Sequence, residues 1–402
     1  MSKKWFLAHL TVPVVVLVLL ASSYAMGFRL YPEAFYIGIG IHDFQELSGR
    51  FATLAEDKGP AYAYAVLDRA SLPRDTDFHL LGHAIGDVLY EKNGIGGIVD
   101  CTTDFRNACS HTIVIGAFNE LGPEHALGSI REVCERAPGG IGAYTMCFHG
   151  VGHGVFAYYD YALKPTIAWC AKTGTAEHGT REYSECVGGA IMELMGGGGH
   201  DHAAWLKSRS AYLDPKNPLA PCSNSIMPKE VKDICYTYLT PHLFSVTGAD
   251  LVRPTPDNFV GAFTLCDKIP NTDSTARKAC FYGIGKEFPV LALERDIRKI
   301  EYASTPELER MHSWCALAPH EEARSACIQA IVQSLFWGGE NDPDVSVRFC
   351  MTANDAFGKT NCFDQLYDEV ATYWASNHTA QARLCASLPT AFVPECREEL
   401  KL

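Results

Sequence analysis

Sixteen cysteines, all between Cys101 and Cys396 and none in a C-x-x-C arrangement, constrain this chain more than any other feature. In sequence order they fall into close pairs: Cys101 with Cys109, Cys134 with Cys147, Cys170 with Cys186 and Cys222 with Cys235. Cys266 with Cys280, Cys315 with Cys327, Cys350 with Cys362 and Cys385 with Cys396 follow, and each pair encloses 7 to 15 residues. Zinc-binding and redox-active cysteines are spaced more tightly, so neither use fits. An even number of closely paired cysteines belongs to disulfides made in an oxidising compartment. The spacing predicts eight nearest-neighbour disulfides and leaves no cysteine over as a nucleophile.

Around the pairs the chain repeats one plan: helix-like apolar stretch, cysteine, polar segment, cysteine, helix-like apolar stretch. Phe263 to Phe288 and His312 to Phe336 show it side by side. Pro138, Pro228, Pro270, Pro319 and Pro389 fall between paired cysteines, where a turn needs a residue that cannot continue a helix. A cysteine-free stretch from Ala65 to Tyr90 follows the same template, with Leu67 and Asp77 in the cysteine positions. Apolar residues recur at helical spacing, as at Ile328, Ile331, Val332, Leu335 and Phe336, and alternating strand patterns are scarce. These features predict an all-α solenoid of about nine helix-turn-helix units, most stapled by one local disulfide, in which helical pairs bury their faces on their neighbours.

Lys3 and Lys4 precede an apolar run from Trp5 to about Phe28. A run of this length can span a bilayer as one helix, and the lysines would hold its start in the cytoplasm. Residues 1–28 are therefore expected to be a signal-anchor, with a removable signal peptide as the alternative, because Ser23-Tyr24-Ala25 has the small-x-small form of a cleavage site. Either way the bulk of the chain is expected outside the cytoplasm, as a single-pass membrane protein or a secreted one. The remaining organisation reads as a lead-in helical segment over 29–60, His-bearing repeats over 61–215 and disulfide-stapled repeats over 216–402. A glycine run at 196–199 reads as an exposed connection. The charge balance of 34 Lys+Arg against 47 Asp+Glu, net −13, argues against nucleic-acid binding, which needs clustered basic residues.

Aligning the second helix of each unit on its opening cysteine exposes the chemistry. The unit at Cys109 reads C-S-H, the unit at Cys147 reads C-F-H-G-V-G-H, and the cysteine-free unit reads D-F-H-L-L-G-H from Asp77. His79, His111 and His149 thus share one repeat position, and His83 and His153 share the position four residues on. Residues four apart lie on one helical face, so His79 with His83 and His149 with His153 form ligand pairs, with His111 on the helix between them. Partners two units apart meet only if the array curves tightly. The nearby glycines, among them Gly150 and Gly152, cost helix propensity and imply close helix approach or room for a ligand.

An imidazole-dominated set suits zinc, copper or iron and does not suit magnesium or calcium. Asp77, Asp87 and Glu193 are the carboxylates placed to act as ligand, orienting partner or general base, with Asp87 and Glu193 the candidates for catalysis. The expected function is a membrane-anchored, extracytoplasmic metal-binding protein with its ion at His79, His83, His111, His149 and His153, serving an oxidative or hydrolytic reaction. The competing expectation is a non-enzymatic scaffold whose solenoid groove binds a peptide or envelope partner, the histidines forming a buried polar network.

Overall fold

Helix formation follows the cysteine rhythm in the computed structural model, which describes residues 30–197, 202–338, 341–375 and 377–402. The chain divides into two compact units, one ending at Pro73 and one running from Arg74 to Leu402. The first contains α1 (Phe44–Lys58) and α2 (Pro60–Arg69). Asp43 caps α1, its side chain accepting from the Glu46 N–H, and Pro60 opens α2 where a helix tolerates proline. Leu47, Phe51, Val66 and Leu67 are buried here.

The second unit begins with α3 (Phe78–Asn93), α4 (Asp104–Cys134), α5 (Gly140–Tyr158), α6 (Leu163–Cys170), α7 (Arg181–Gly196) and α8 (His202–Tyr212). It continues with α9 (Lys232–Tyr238), α10 (Thr240–Val246), α11 (Pro256–Cys266), α12 (Ser274–Ala292), α13 (Thr305–Cys315) and α14 (Glu321–Gly338). It closes with α15 (Asp344–Met351), α16 (Ala356–Tyr373), α17 (His378–Ser387) and α18 (Val393–Glu399). No strand occurs among the described residues beyond one isolated bridge, Asp214 to Asn217.

All eight disulfides are local and join the cysteines in sequence order, with Cα atoms 5.4–5.8 Å apart. Most tie the end of one helix to the body of the next. Cys266 at the end of α11 reaches Cys280 in α12, Cys315 at the end of α13 reaches Cys327 in α14, and Cys350 in α15 reaches Cys362 in α16. Cys101 and Cys222 differ from this plan, because both lie outside helices; Cys222 is joined to Cys235 in α9 from an irregular segment. Pro215, Pro218 and Pro221 keep the chain before Cys222 from continuing α8.

The second helices of the first eight units pack side by side in order: α3, which has no cysteine, on α4, then α5, α7, α9, α12, α14 and α16. The row then turns back, for α14 also packs on α4 and α16 on α5. Trp337 and Tyr373 press against Gly142, and Arg106 Nη2 donates to Ser334 Oγ at 3.1 Å. This closure supplies the tight curvature that lets histidines from non-adjacent units meet.

No helix among the described residues is long and apolar enough to cross a membrane. The apolar run at 1–28 lies outside the described residues, as does the second half of the glycine run, residues 198 and 199.

Candidate metal centre

Three local devices aim the histidines. Asp77 caps α3, its side chain accepting from the Leu80 N–H at 3.0 Å, which fixes the start of the helix two residues before His79. Before His111, three consecutive residues, Phe105, Arg106 and Asn107, take left-handed backbone angles (φ 54°, 59° and 61°) inside the short loop closed by Cys101–Cys109. Such conformations cost on the order of 1–3 kcal/mol each and persist only where surrounding structure enforces them. Here the turn delivers the Phe105 carbonyl to His79 Nδ1 at 2.7 Å. Around His149, the glycines permit close helix approach: a Cβ on Gly150 would sit 2.6 Å from the His111 Cα, and one on Gly152 would sit 2.0 Å from the Cys186 carbonyl oxygen.

The five imidazoles form one cluster. Ring centroids of His79 and His83 lie 4.5 Å apart, His79 and His111 5.2 Å, His83 and His153 5.8 Å, and His111 and His153 5.9 Å. His149 adjoins His111 at 5.7 Å and His153 at 5.2 Å. Within the cluster, His79, His111 and His153 each offer a nitrogen, and the three atoms lie within 4.8 Å of one another. His83 and His149 stand beside this trio.

Hydrogen bonding sorts the ring nitrogens. His79 Nδ1 faces a carbonyl and must donate to it, leaving the lone pair on Nε2. His153 Nδ1 lies 2.9 Å from Glu193 Oε2, so that carboxylate orients the ring as an acceptor and again leaves Nε2 inward. His79 Nε2, His153 Nε2 and both nitrogens of His111 are buried with no hydrogen-bond partner among the described residues. Burial, followed by the other histidines, holds His111 well below its ordinary pKa, and burial pulls His79 down to about 4. Both rings are therefore neutral at pH 7, the state a metal ligand requires.

Two cavities of about 200 and 270 Å³ adjoin the cluster, and His79, Met192, Tyr238 and Lys286 line both. Lys286 pairs with Glu287 and stands 4.8 Å over the Tyr238 ring. Burial pushes the Glu287 carboxyl up, yet Lys286 with Arg106 and Arg295 brings it below its ordinary range. Glu185, near His149, is raised to about 7 by burial.

Of the three carboxylates singled out from sequence, Asp77 caps α3 and Glu193 is buried against His153. Asp87 is exposed and lines neither cavity. Each four-residue step along a helix advances 400°, so two steps from His79 rotate Asp87 by about 80° from the ligand face. Sequence reasoning missed Met192, Lys286 and Gln333, although a signal existed. They stand six residues after Cys186, Cys280 and Cys327, the position His153 holds after Cys147. Glu193 and Glu287 follow one residue later, and Glu369 stands seven residues after Cys362 in the same way. The later helices thus complete the chamber instead of standing apart from it.

No family model, curated protein or solved structure matches the chain.

Proposed function

We propose that the protein is an extracytoplasmic metalloprotein that holds a transition-metal ion through His79, His111 and His153. The observation that carries this reading is the convergence of buried, unpartnered imidazole nitrogens within 4.8 Å of one another. A buried polar atom without a partner costs about 1–3 kcal/mol, and several at one point call for a shared partner. A cation is the partner that accepts several lone pairs at once. In a tetrahedral site with bonds of about 2.0 Å the ligands stand roughly 3.3 Å apart, so the rings would close by up to about 1.5 Å on binding. Nitrogen donors without sulfur or several carboxylates favour zinc, copper or iron over magnesium or calcium. Eight disulfides support an extracytoplasmic setting. Anchoring by residues 1–28 belongs to the same proposal.

The units form an α-solenoid in this reading, curled so that its second helices wall the chamber. Three histidines beside a cavity would leave room for a water or substrate on the ion, the form of a catalytic site more than of a structural one, which is closed by four protein ligands. The ion would supply Lewis acidity for a hydrolysis, or redox chemistry for an oxidation. The protein's own part is to orient His153 through Glu193 and to place Lys286 and Tyr238 on the cavities that His79 also lines.

The test is metal retention. Protein made in an oxidising compartment without chelator, offered zinc and then desalted, is expected to keep about one equivalent. His111→Ala is expected to lose it while helical content is unchanged. If the wild-type protein retains no zinc, copper or iron, the histidines are a buried polar network and the scaffold reading replaces this one.

A further inference from the structure

His149 stands outside the three-histidine group, and its surroundings are chemically different. The side chain is 1% exposed. Its Nδ1 lies 3.2 Å from Glu185 Oε2, and its Nε2 lies 3.3 Å from the Met192 sulfur. In the tautomer that donates Nδ1–H to the carboxylate, Nε2 carries a lone pair, and a thioether sulfur offers lone pairs and no proton. Two lone-pair donors then face each other a few tenths of an ångström closer than the roughly 3.5 Å between nitrogen and sulfur ligands sharing one ion at a tetrahedral angle.

We propose that His149 and Met192 form a second metal position in the chamber, selective for copper(I). Thioether sulfur is a soft ligand that favours copper(I) over zinc, whereas the three-histidine group has no sulfur. Met192 is also at a donor position of the repeat, six residues after Cys186, where His153 stands relative to Cys147. Its side chain is part-buried and lines both cavities. Met146 lines one cavity and Met195 the other, giving the chamber three of the chain's 8 methionines. Glu185 holds the ring from behind, as carboxylates do for ligating imidazoles. The site uses none of the three imidazoles proposed above and extends that reading without depending on it.

Copper(I) is supplied anaerobically as its acetonitrile complex, without thiols so that the disulfides stay intact, in competition with a chromophoric copper(I) chelator. Wild-type protein is expected to take two copper(I) or one zinc. Met192→Leu, a swap close in volume, is expected to take one copper(I) and still one zinc, and His149→Ala to match it. His111→Ala should lose zinc but keep one copper(I), with sulfur in the copper shell by X-ray absorption. Zinc binding with no sulfur-bound copper in any form, or two copper(I) retained by Met192→Leu, would overturn the second site alone. A single sulfur-bound copper(I) in a wild-type protein that retains no zinc, no iron and no second copper supports this site while the three-histidine reading fails.

Discussion

His111 is the ring whose position a protein core by itself does least to explain. It is buried at 1% exposure, neither nitrogen has a hydrogen-bond partner among the described residues, and four other histidines crowd it. His79 is better satisfied, and it sets a pH signature. Its folded-state pKa is lowered by burial from 6.5 to about 4. Above pH 6.5 the ring is neutral in folded and unfolded chain alike and has no effect on stability. Between pH 6.5 and about 4 the unfolded chain takes up a proton that the folded chain excludes, so stability falls as pH falls. For this one group the loss is on the order of 3 kcal/mol. Urea titrations of the metal-free protein, disulfides intact, should show this decline, and saturating zinc should move it to lower pH. A flat profile from pH 7 to 4 would show that the ring is not buried neutral. The five histidines were legible in sequence because they stand at matched positions when the units are aligned on their cysteines. Met192 and Lys286 hold the same inward position with other chemistry, which residue type alone conceals.

Helix contacts in the chamber depend on the absence of side chains at particular positions. A Cβ on Gly152 would meet the Cys186 carbonyl oxygen at 2.0 Å, and one on Gly189 would meet the His149 carbonyl oxygen at 1.9 Å, so α5 and α7 touch backbone to backbone. No rotamer change relieves a clash with a main-chain oxygen. Gly152→Ala should destabilise by about 1–3 kcal/mol or more, as overpacked cores do. Gly49, exposed in α1 with nothing within 4 Å of where a Cβ would sit, is the control, and Gly49→Ala should stabilise by about 1 kcal/mol. Paired denaturation curves check both, and equal effects would contradict the packing account. Helix content and the turns between cysteines followed from spacing and proline placement. The left-handed turn at Phe105, Arg106 and Asn107 did not, because no glycine marks it and the backbone is held by its loop and neighbours.

Across the whole molecule, every staple is local, so disulfides fix hairpins and leave the closing of the row to packing. The pairwise rhythm of cysteines made the hairpins readable, but the angle between successive hairpins has no signature in one sequence. The return of α14 and α16 onto α4 and α5 rests on contacts such as Trp337 and Tyr373 against Gly142. Staples should therefore differ in consequence. Removing Cys385–Cys396 as a double alanine variant should cost about 2–3 kcal/mol and leave zinc affinity unchanged. Removing Cys101–Cys109 should also weaken zinc, because that loop presents the Phe105 carbonyl to His79. Equal zinc affinity in the two variants would separate the turn from the site. The most direct measurement of the central claim is anomalous diffraction at the zinc edge from zinc-loaded crystals. The account predicts a peak inside the chamber, about 2.0–2.1 Å from His79 Nε2, His153 Nε2 and one nitrogen of His111. Zinc found only at surface histidines, with the chamber empty of anomalous signal, would contradict it.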